Sequence, residues 1–360
     1  MKLKTEAFTS GAGTRIYRIP MQLFPELWGY AHLVVSDGFV ALVDVGSGFG
    51  DSNDHLELGL EAVRNDFGEA VKWSDLTHIL ITHAHIDHFG GLAYVRQRSS
   101  APIGIHELDR RVLTAYEERL ATVANKLSTY LTEAGVTAQE HGDLMDLYLL
   151  GKQLYASQPV EFTLGTQIGP LDITHVPGHT PGQVMILVDD VLLSADHILQ
   201  RISPHLAPES LTLTTGLDHY LRSLELSKVL IERTKLVLGG HERPFQNLSE
   251  RIDETRTLYE DRLAQVLDLA HTPMSVAEFS QELFGDTVGY HRLLALEEAG
   301  AYVEYLSLRG TLRVDDLEKL EGRELSAIRY QNEDGWNSDK SSVEPTAEGE
   351  NKVGEFDVRI

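Results

Sequence analysis

The stretch Ile81-Thr-His-Ala-His-Ile-Asp-His-Phe-Gly-Gly91 sets His83, His85, Asp87 and His88 in the order His-x-His-x-Asp-His. In an extended segment, side chains two apart project to one side, so His83 and His85 can grip one metal ion from a single loop. Asp87 and His88 then face a second position. Gly90 and Gly91 follow directly and let the next helix pack close to that loop. A lone histidine is most often a satisfied core or surface residue. Three of them with an aspartate, after the apolar strand-like run 77–82, point to a metal cradle instead, because imidazole and carboxylate are the usual ligands of zinc-like cations.

Working outward, four more apolar runs end in a polar group. LDITHV and QVMILV flank the Pro-Gly-His-Thr-Pro-Gly turn of 177–182, which holds His179 with little freedom. VLLSADHIL ends in Asp196, a carboxylate able to bridge two cations, and KLVLGGHERPF ends its strand in Gly239-Gly240-His241. FVALVDVGSG puts Asp44 and Gly46 past a fourth strand. Strand-end loops of a layered sheet are where a scaffold collects ligands from distant parts of a chain.

This set of motifs, in this order, resembles the metallo-beta-lactamase superfamily over residues 14–250. The resemblance implies an α/β fold, a four-layer αββα sandwich with metals at one sheet edge. It implies that His83, His85 and His179 hold a first metal, that Asp87, His88 and His241 hold a second, and that Asp196 bridges them. Asp44 matches the aspartate that orients the ligand loop by hydrogen bonding without binding metal. Diiron electron-transfer members carry Glu where this chain has His85, which favours hydrolysis over redox chemistry. The expected cofactor is therefore two divalent metal ions, zinc by preference, with manganese or iron acceptable in the carboxylate-rich second position. The expected enzyme is a dinuclear hydrolase in which a metal-bridging hydroxide attacks an electrophilic centre. Asp87 is its catalytic residue, orienting the nucleophile, while His197 and His205 are expected to contact substrate or transfer a proton.

Composition agrees with a compact enzyme and narrows its partners. The 360 residues are 42% hydrophobic, enough for a sizeable core, and no apolar run approaches the ~20 residues that span a bilayer. MKLKTEAFTSGAG lacks the apolar centre of a secretory signal, so a cytoplasmic location is expected, away from membranes. Cysteine is absent, which excludes disulfides and thiolate ligands. A net charge of −24 repels polyanions, so nucleic acid is a disfavoured partner and a small-molecule substrate is expected.

Strands are predicted near 14–20, 30–36, 39–45, 77–82 and 102–106, with a helix at 53–68 and another starting near His88. From Glu107 to Tyr155 apolar residues recur at helical spacing, giving a helical insertion that is read as a lid over the metals or as a structural or dimer-forming pair, with His141 and Tyr148 in reach of substrate. A helix at 217–233, a strand at 235–238 and a long helix at 248–270 close the first domain, residues 1–270. Residues 271–330 change character: two amphipathic helices, SVAEFSQELFG and YHRLLALEEAG, precede a predicted strand AYVEYLSL, the turn Arg309-Gly310 and a second strand TLRV. That outline is winged-helix-like and resembles the C-terminal module of the lactamase-B-like endoribonuclease branch. From Pro273 to Tyr330, however, acidic residues outnumber basic ones 11 to 6, the wrong sign for gripping phosphates. A packing or homo-oligomer-forming role is expected, so that deleting 271–360 harms solubility or assembly more than chemistry. Residues 331–360 are polar and acidic and are expected to form a disordered tail.

The substrate is bounded by two comparisons of residues. Quorum-signal lactonases of this fold carry a tyrosine three positions after the bridging aspartate, where this chain has Leu199. Glyoxalase-II-like enzymes share the whole ligand set, but their basic glutathione-binding pattern is not recognisable here. The expectation is a small carboxylic thioester, ester or lactone, with a metal-dependent endoribonuclease or phosphodiesterase as the alternative.

Overall fold

The computed structural model describes residues 4–152, 154–315 and 326–332. A seven-stranded sheet runs in the order β1-β2-β3-β4-β5-β6-β7. Its strands are Glu6–Thr9 (β1), Arg15–Phe24 (β2), Leu27–Ser36 (β3), Phe39–Val43 (β4), His78–Leu80 (β5), Ile103–Ile105 (β6) and Phe162–Thr163 (β7). Strands β1 to β4 pair antiparallel, and β4 to β7 pair parallel. A five-stranded sheet comprises Gln167–Ile168 (β8), Leu171–His175 (β9), Val184–Val188 (β10), Val191–Ala195 (β11) and Leu236–Gly239 (β12), in the order β12-β11-β10-β9-β8.

Alternation along the strands builds the layers. In β10, Val184, Ile186 and Val188 join residues of the first sheet, including Val34, Val43 and Leu80, in the core between the sheets. Met185 and Leu187 point the other way, into helices. All five β10 residues are buried because both faces are covered. The first sheet turns Ile19, Met21 and Leu33 outward against Ser52–Asn65 (α1), Ile86–Phe89 (α2), Leu92–Arg96 (α3) and Glu107–Thr114 (α4). Helices therefore cover both sheets, which gives the αββα order. Gly90 and Gly91 serve close approach: an added Cβ would lie 2.1 Å from the Ser47 carbonyl oxygen and 2.2 Å from that of Val45, respectively.

Between β6 and β7 the chain makes α4, Tyr116–Ala134 (α5) and Ala138–Lys152 (α6), so the expected insertion is a three-helix crossover between neighbouring strands. After the second sheet come Leu217–Leu226 (α7), a 3-10 turn at Ser227–Arg233 before β12, and Leu248–Leu269 (α8). The C-terminal part consists of Met274–Ser275 (β13), Val276–Phe284 (α9), Tyr290–Leu308 (α10), Leu312–Val314 (β14) and Arg329–Asn332 (β15), with the sheet order β13-β15-β14. Ser275 and Glu278 form a reciprocal cap at the start of α9.

Two expectations change here. The segment AYVEYLSL is not a strand; it is the second half of α10. Gly300 does not stop that helix but admits Tyr130, whose hydroxyl donates to the Leu296 carbonyl at 2.6 Å and would sit 2.1 Å from a Cβ at position 300. Ala299, Tyr302, Val303 and Leu306, three and four apart, then bury against Tyr220, Tyr259 and Val266. Gln331 and Asn332, expected to open the tail, belong to β15; the rest of the expected tail lies outside the described residues. No helix among the described residues is long and apolar enough to cross a membrane.

Candidate metal centre

The loops after β5, β9, β11 and β12, together with α2, meet at one edge of the sandwich. They bring together His83, His85 and His179 as one group, and Asp87, His88, Asp196 and His241 as another, with the ligand atoms of each group within 4.8 Å of one another. Asp196 joins the two groups. Its Oδ2 stands 3.9 Å from Nε2 of His83 and 3.7 Å from that of His179, and 3.4 and 3.3 Å from those of His88 and His241. Asp87 Oδ2 lies 3.3 Å from His241 Nε2 and 3.6 Å from His88 Nε2.

Four of the five rings are held from behind. His88 Nδ1 donates to Asp44 Oδ2 at 2.8 Å, His179 Nδ1 to the His205 carbonyl at 2.7 Å, and His241 Nδ1 to the Trp28 carbonyl at 2.9 Å; His83 Nδ1 is 3.1 Å from the Thr82 hydroxyl. Asp44 also accepts from the Thr82 amide and hydroxyl, each at 2.8 Å, and so ties β4 to the ligand loop. Asp44 and Ala195 have positive φ, 60° and 47°, and Ala195 ends β11 next to a register shift that swings Asp196 inward. The Gln183 amide oxygen faces the Asp196 and His197 amides at 3.0 and 2.8 Å and steadies that turn.

With the rings fixed, Nε2 of His83, His88, His179 and His241, Oδ2 of Asp87 and Oδ1 of Asp196 are buried without a well-aligned hydrogen-bond partner among the described residues. Leaving such atoms unpaired costs roughly 1–3 kcal/mol each. Divalent cations bound between them would satisfy all of them, so the donor set fits the metals that the sequence implies.

The two halves differ in charge. Burial pushes His83 well below its usual range and His179 to about 4, so both rings are neutral and ready to ligate. Burial also opposes charge on His88 and His241, but the surrounding carboxylates, Asp196 foremost, outweigh it and raise His88 well above its usual value and His241 to about 10. Burial would raise the Asp87 and Asp196 carboxyls; the facing His88 and His241 instead hold Asp87 at about 2 and Asp196 well below the usual range.

A family model for the metallo-beta-lactamase superfamily matches residues 28–241, which contain all seven of these side chains. The chain belongs to the metallo-beta-lactamase superfamily. Within it, the probable metallo-hydrolase YqgX of Bacillus subtilis (strain 168) is 28% identical over 180 residues, covering 48% of this chain and 72% of that protein. A beta-lactamase domain protein from Burkholderia ambifaria superposes with a TM-score of 0.70 at 24% identity, over 91% of this chain and 94% of its own. A metallo-beta-lactamase family protein from Thermus thermophilus gives 0.69 at 23% identity, over 88% and 98%. Both structural likenesses reach past residue 241 into the C-terminal helices. By class the chain is a metal-dependent hydrolase.

Other site expectations fare unevenly. His197 is fully buried, stands 3.0 Å from the Ser227 hydroxyl, packs on Tyr220 and is not among the described residues that line the cavity beside the centre. His205 does line that cavity, with its Nε2 3.2 Å from Glu297 of α10. Of the two insertion residues, Tyr148 lines the cavity, whereas His141 is turned to Ser128 and ties α6 to α5. Sequence reasoning missed Asp109. This fully buried carboxylate of α4 accepts from the Ala84 amide at 2.9 Å, the Thr180 hydroxyl at 2.7 Å and the Gly182 amide at 2.8 Å, so it clamps two ligand loops together. Its only sequence signal is an acidic residue in the first turn of an amphipathic helix, which reads equally well as a solvated position.

Proposed function

We propose that the protein is a dinuclear metal-dependent hydrolase that cleaves a small carboxylic thioester, ester or lactone. The observation that carries the reading is the single Asp196 oxygen within 3.3–3.9 Å of four imidazole nitrogens from both groups, a bridging position between two metal sites. His83, His85 and His179 would hold one ion, and Asp87, His88 and His241 the other. When bound, two such cations would supply Lewis acidity and lower the pKa of a bound water toward ~7. Water adds to the acyl carbon, the carbon–sulfur or carbon–oxygen bond breaks, and a carboxylic acid and a thiol or alcohol leave, the leaving atom keeping the bond electrons and gaining a proton. Asp87 aims the attacking oxygen, and Asp44, Thr82 and Asp109 hold the ligand loops in register. His205, beside His179, is placed to contact substrate. Zinc is the expected metal, and the cytoplasm the expected location.

The choice of an acyl substrate over RNA rests on the cavity beside the centre. Among the described residues that line it, Arg119 is the one guanidinium and there is no lysine, whereas a nucleic-acid channel lines its path with cations. The endoribonuclease alternative draws its support from the C-terminal order α8-β13-α9-α10-β14-β15, which suits a winged-helix-like module. Assays of the metal-loaded protein on thioesters, esters, lactones, phosphodiesters and short RNAs separate the two. Chelator-sensitive turnover of an acyl substrate is the expected result. RNA cleavage without acyl turnover, with salt-sensitive RNA binding by the full-length protein, would reverse the order.

A further inference from the structure

The candidate metal centre opens into a cavity of about 690 Å³ that has His85, Asp87 and His179 in its wall. The remaining wall is mostly hydrocarbon from parts of the chain far apart in sequence: Leu120 and Val123 of α5, Leu147 and Leu150 of α6, and Leu293 and Leu294 of α10. Helix α6 is apolar on two sides. Leu144 and Tyr148 bury against α5 and α10, while Leu147 and Leu150, 36% and 71% exposed, remain open to solvent at the cavity. A surface helix normally turns polar residues to water, and contiguous exposed leucines mark a surface with a partner. What covers them is indicated by continuity, since the same space reaches the histidines. A single molecule can place its reacting group at the centre and lay a hydrocarbon portion along the leucines. The volume suits one ligand of drug size.

We propose that the cavity binds an apolar hydrocarbon portion of the substrate, and that the enzyme selects esters or thioesters carrying such a chain over short polar ones. The hydrolase reading enters only in locating the reacting end at the metal centre. The chain can belong to the acyl group or to the leaving thiol or alcohol; the chemistry of the wall is the same for both.

Binding is measured first, by calorimetry on the full-length metal-loaded protein, with decanoate and with acetate, whose shared carboxylate cancels any direct contact with metal. Decanoate is expected to bind at least roughly a hundredfold tighter, since each buried methylene contributes about a fourfold factor, and with a negative heat-capacity change. Leu150→Asp, at an exposed position that the fold does not need, should weaken decanoate at least about tenfold and leave acetate unchanged. Equal binding of the two acids, or tight decanoate binding indifferent to Leu150→Asp and to a second variant, Leu147→Asp, overturns the inference. So does light scattering that shows a dimer which these variants dissociate without altering decanoate affinity, because the leucines would then be covered by a second copy. Turnover is measured next, on thioesters lengthened first on the acyl side and then on the thiol side. A rise of kcat/KM along either series supports the inference and says which side carries the chain, and flat profiles along both overturn it. If decanoate binds as expected but no acyl substrate is hydrolysed, the hydrocarbon site stands, and the proposed function fails together with the selection among esters.

Discussion

The Thr180 hydroxyl donates to Asp109 Oδ2 at 2.7 Å, next to His179, and that oxygen also accepts the Ala84 amide between His83 and His85. One carboxylate outside the ligand set therefore fixes the spacing of all three histidines of the first group. Asp109→Asn puts an amide N–H where an acceptor is required. We expect metal affinity or kcat to fall about 10–100-fold with the helical content unchanged, measured by metal titration and circular dichroism. Wild-type affinity and rate in this variant would show that the loops are held by other contacts.

Loading the two groups with metal should differ in proton release. His83 and His179 are neutral at pH 7, whereas His88 and His241 carry protons that their carboxylates stabilise. A cation entering the second group must displace those protons, so its affinity rises with pH up to about 10, the value for His241, while His83 and His179 of the first group are already deprotonated there. Calorimetric titrations in buffers of different ionisation heat are expected to give about two protons released for the equivalent of metal that fills the second group and fewer for the other. Equal release for both would contradict the charge asymmetry.

Asp87→Ala removes a ligand of the second group together with the carboxylate that aims the nucleophile. Turnover should drop by several orders of magnitude with the fold retained, while the melting temperature measured without metal falls, because the protonated His88 and His241 lose one of their buried carboxylate partners. Turnover near the parent rate would remove Asp87 from the mechanism.

The sequence suggests that loss of the C-terminal residues harms solubility or assembly more than chemistry, but the fold also places these residues beside the metal centre. Tyr220 and Tyr259 pack on Phe279 and Tyr302, and Leu293, Leu294 and Glu297 of α10 form part of the wall beside the metal centre. Deleting residues 271–360 should therefore abolish turnover as well as solubility. Glu297→Leu is the finer test. It strips His205 of its buried partner and should cost about 3 kcal/mol of stability in chemical denaturation.

The candidate ligand residues are legible because each lies in the segment that follows a strand, in a motif whose spacing is local. Asp44 could be read for the same reason. Asp109 could not, because its partners, Ala84, Thr180 and Gly182, come from loops on either side of it in the chain and only the fold brings them together. His197 follows Asp196 in the chain, but the chain turns after β11 and sends its ring to Ser227, a placement that adjacency in sequence does not reveal. The error at 301–308 arose because glycine after Glu298-Ala299 reads as a helix stop, whereas here it makes room for Tyr130. The cavity was invisible for a related reason, since its leucines come from three helices that sequence periodicity describes only one at a time.

Metal content tests the central claim most directly. The protein, saturated with zinc and freed of excess, should hold about two equivalents per chain by elemental analysis, because seven ligands with one bridging carboxylate complete two sites. Asp196→Ala should lower that number and abolish turnover. One equivalent or fewer at saturation, with hydrolysis intact, would contradict the dinuclear account.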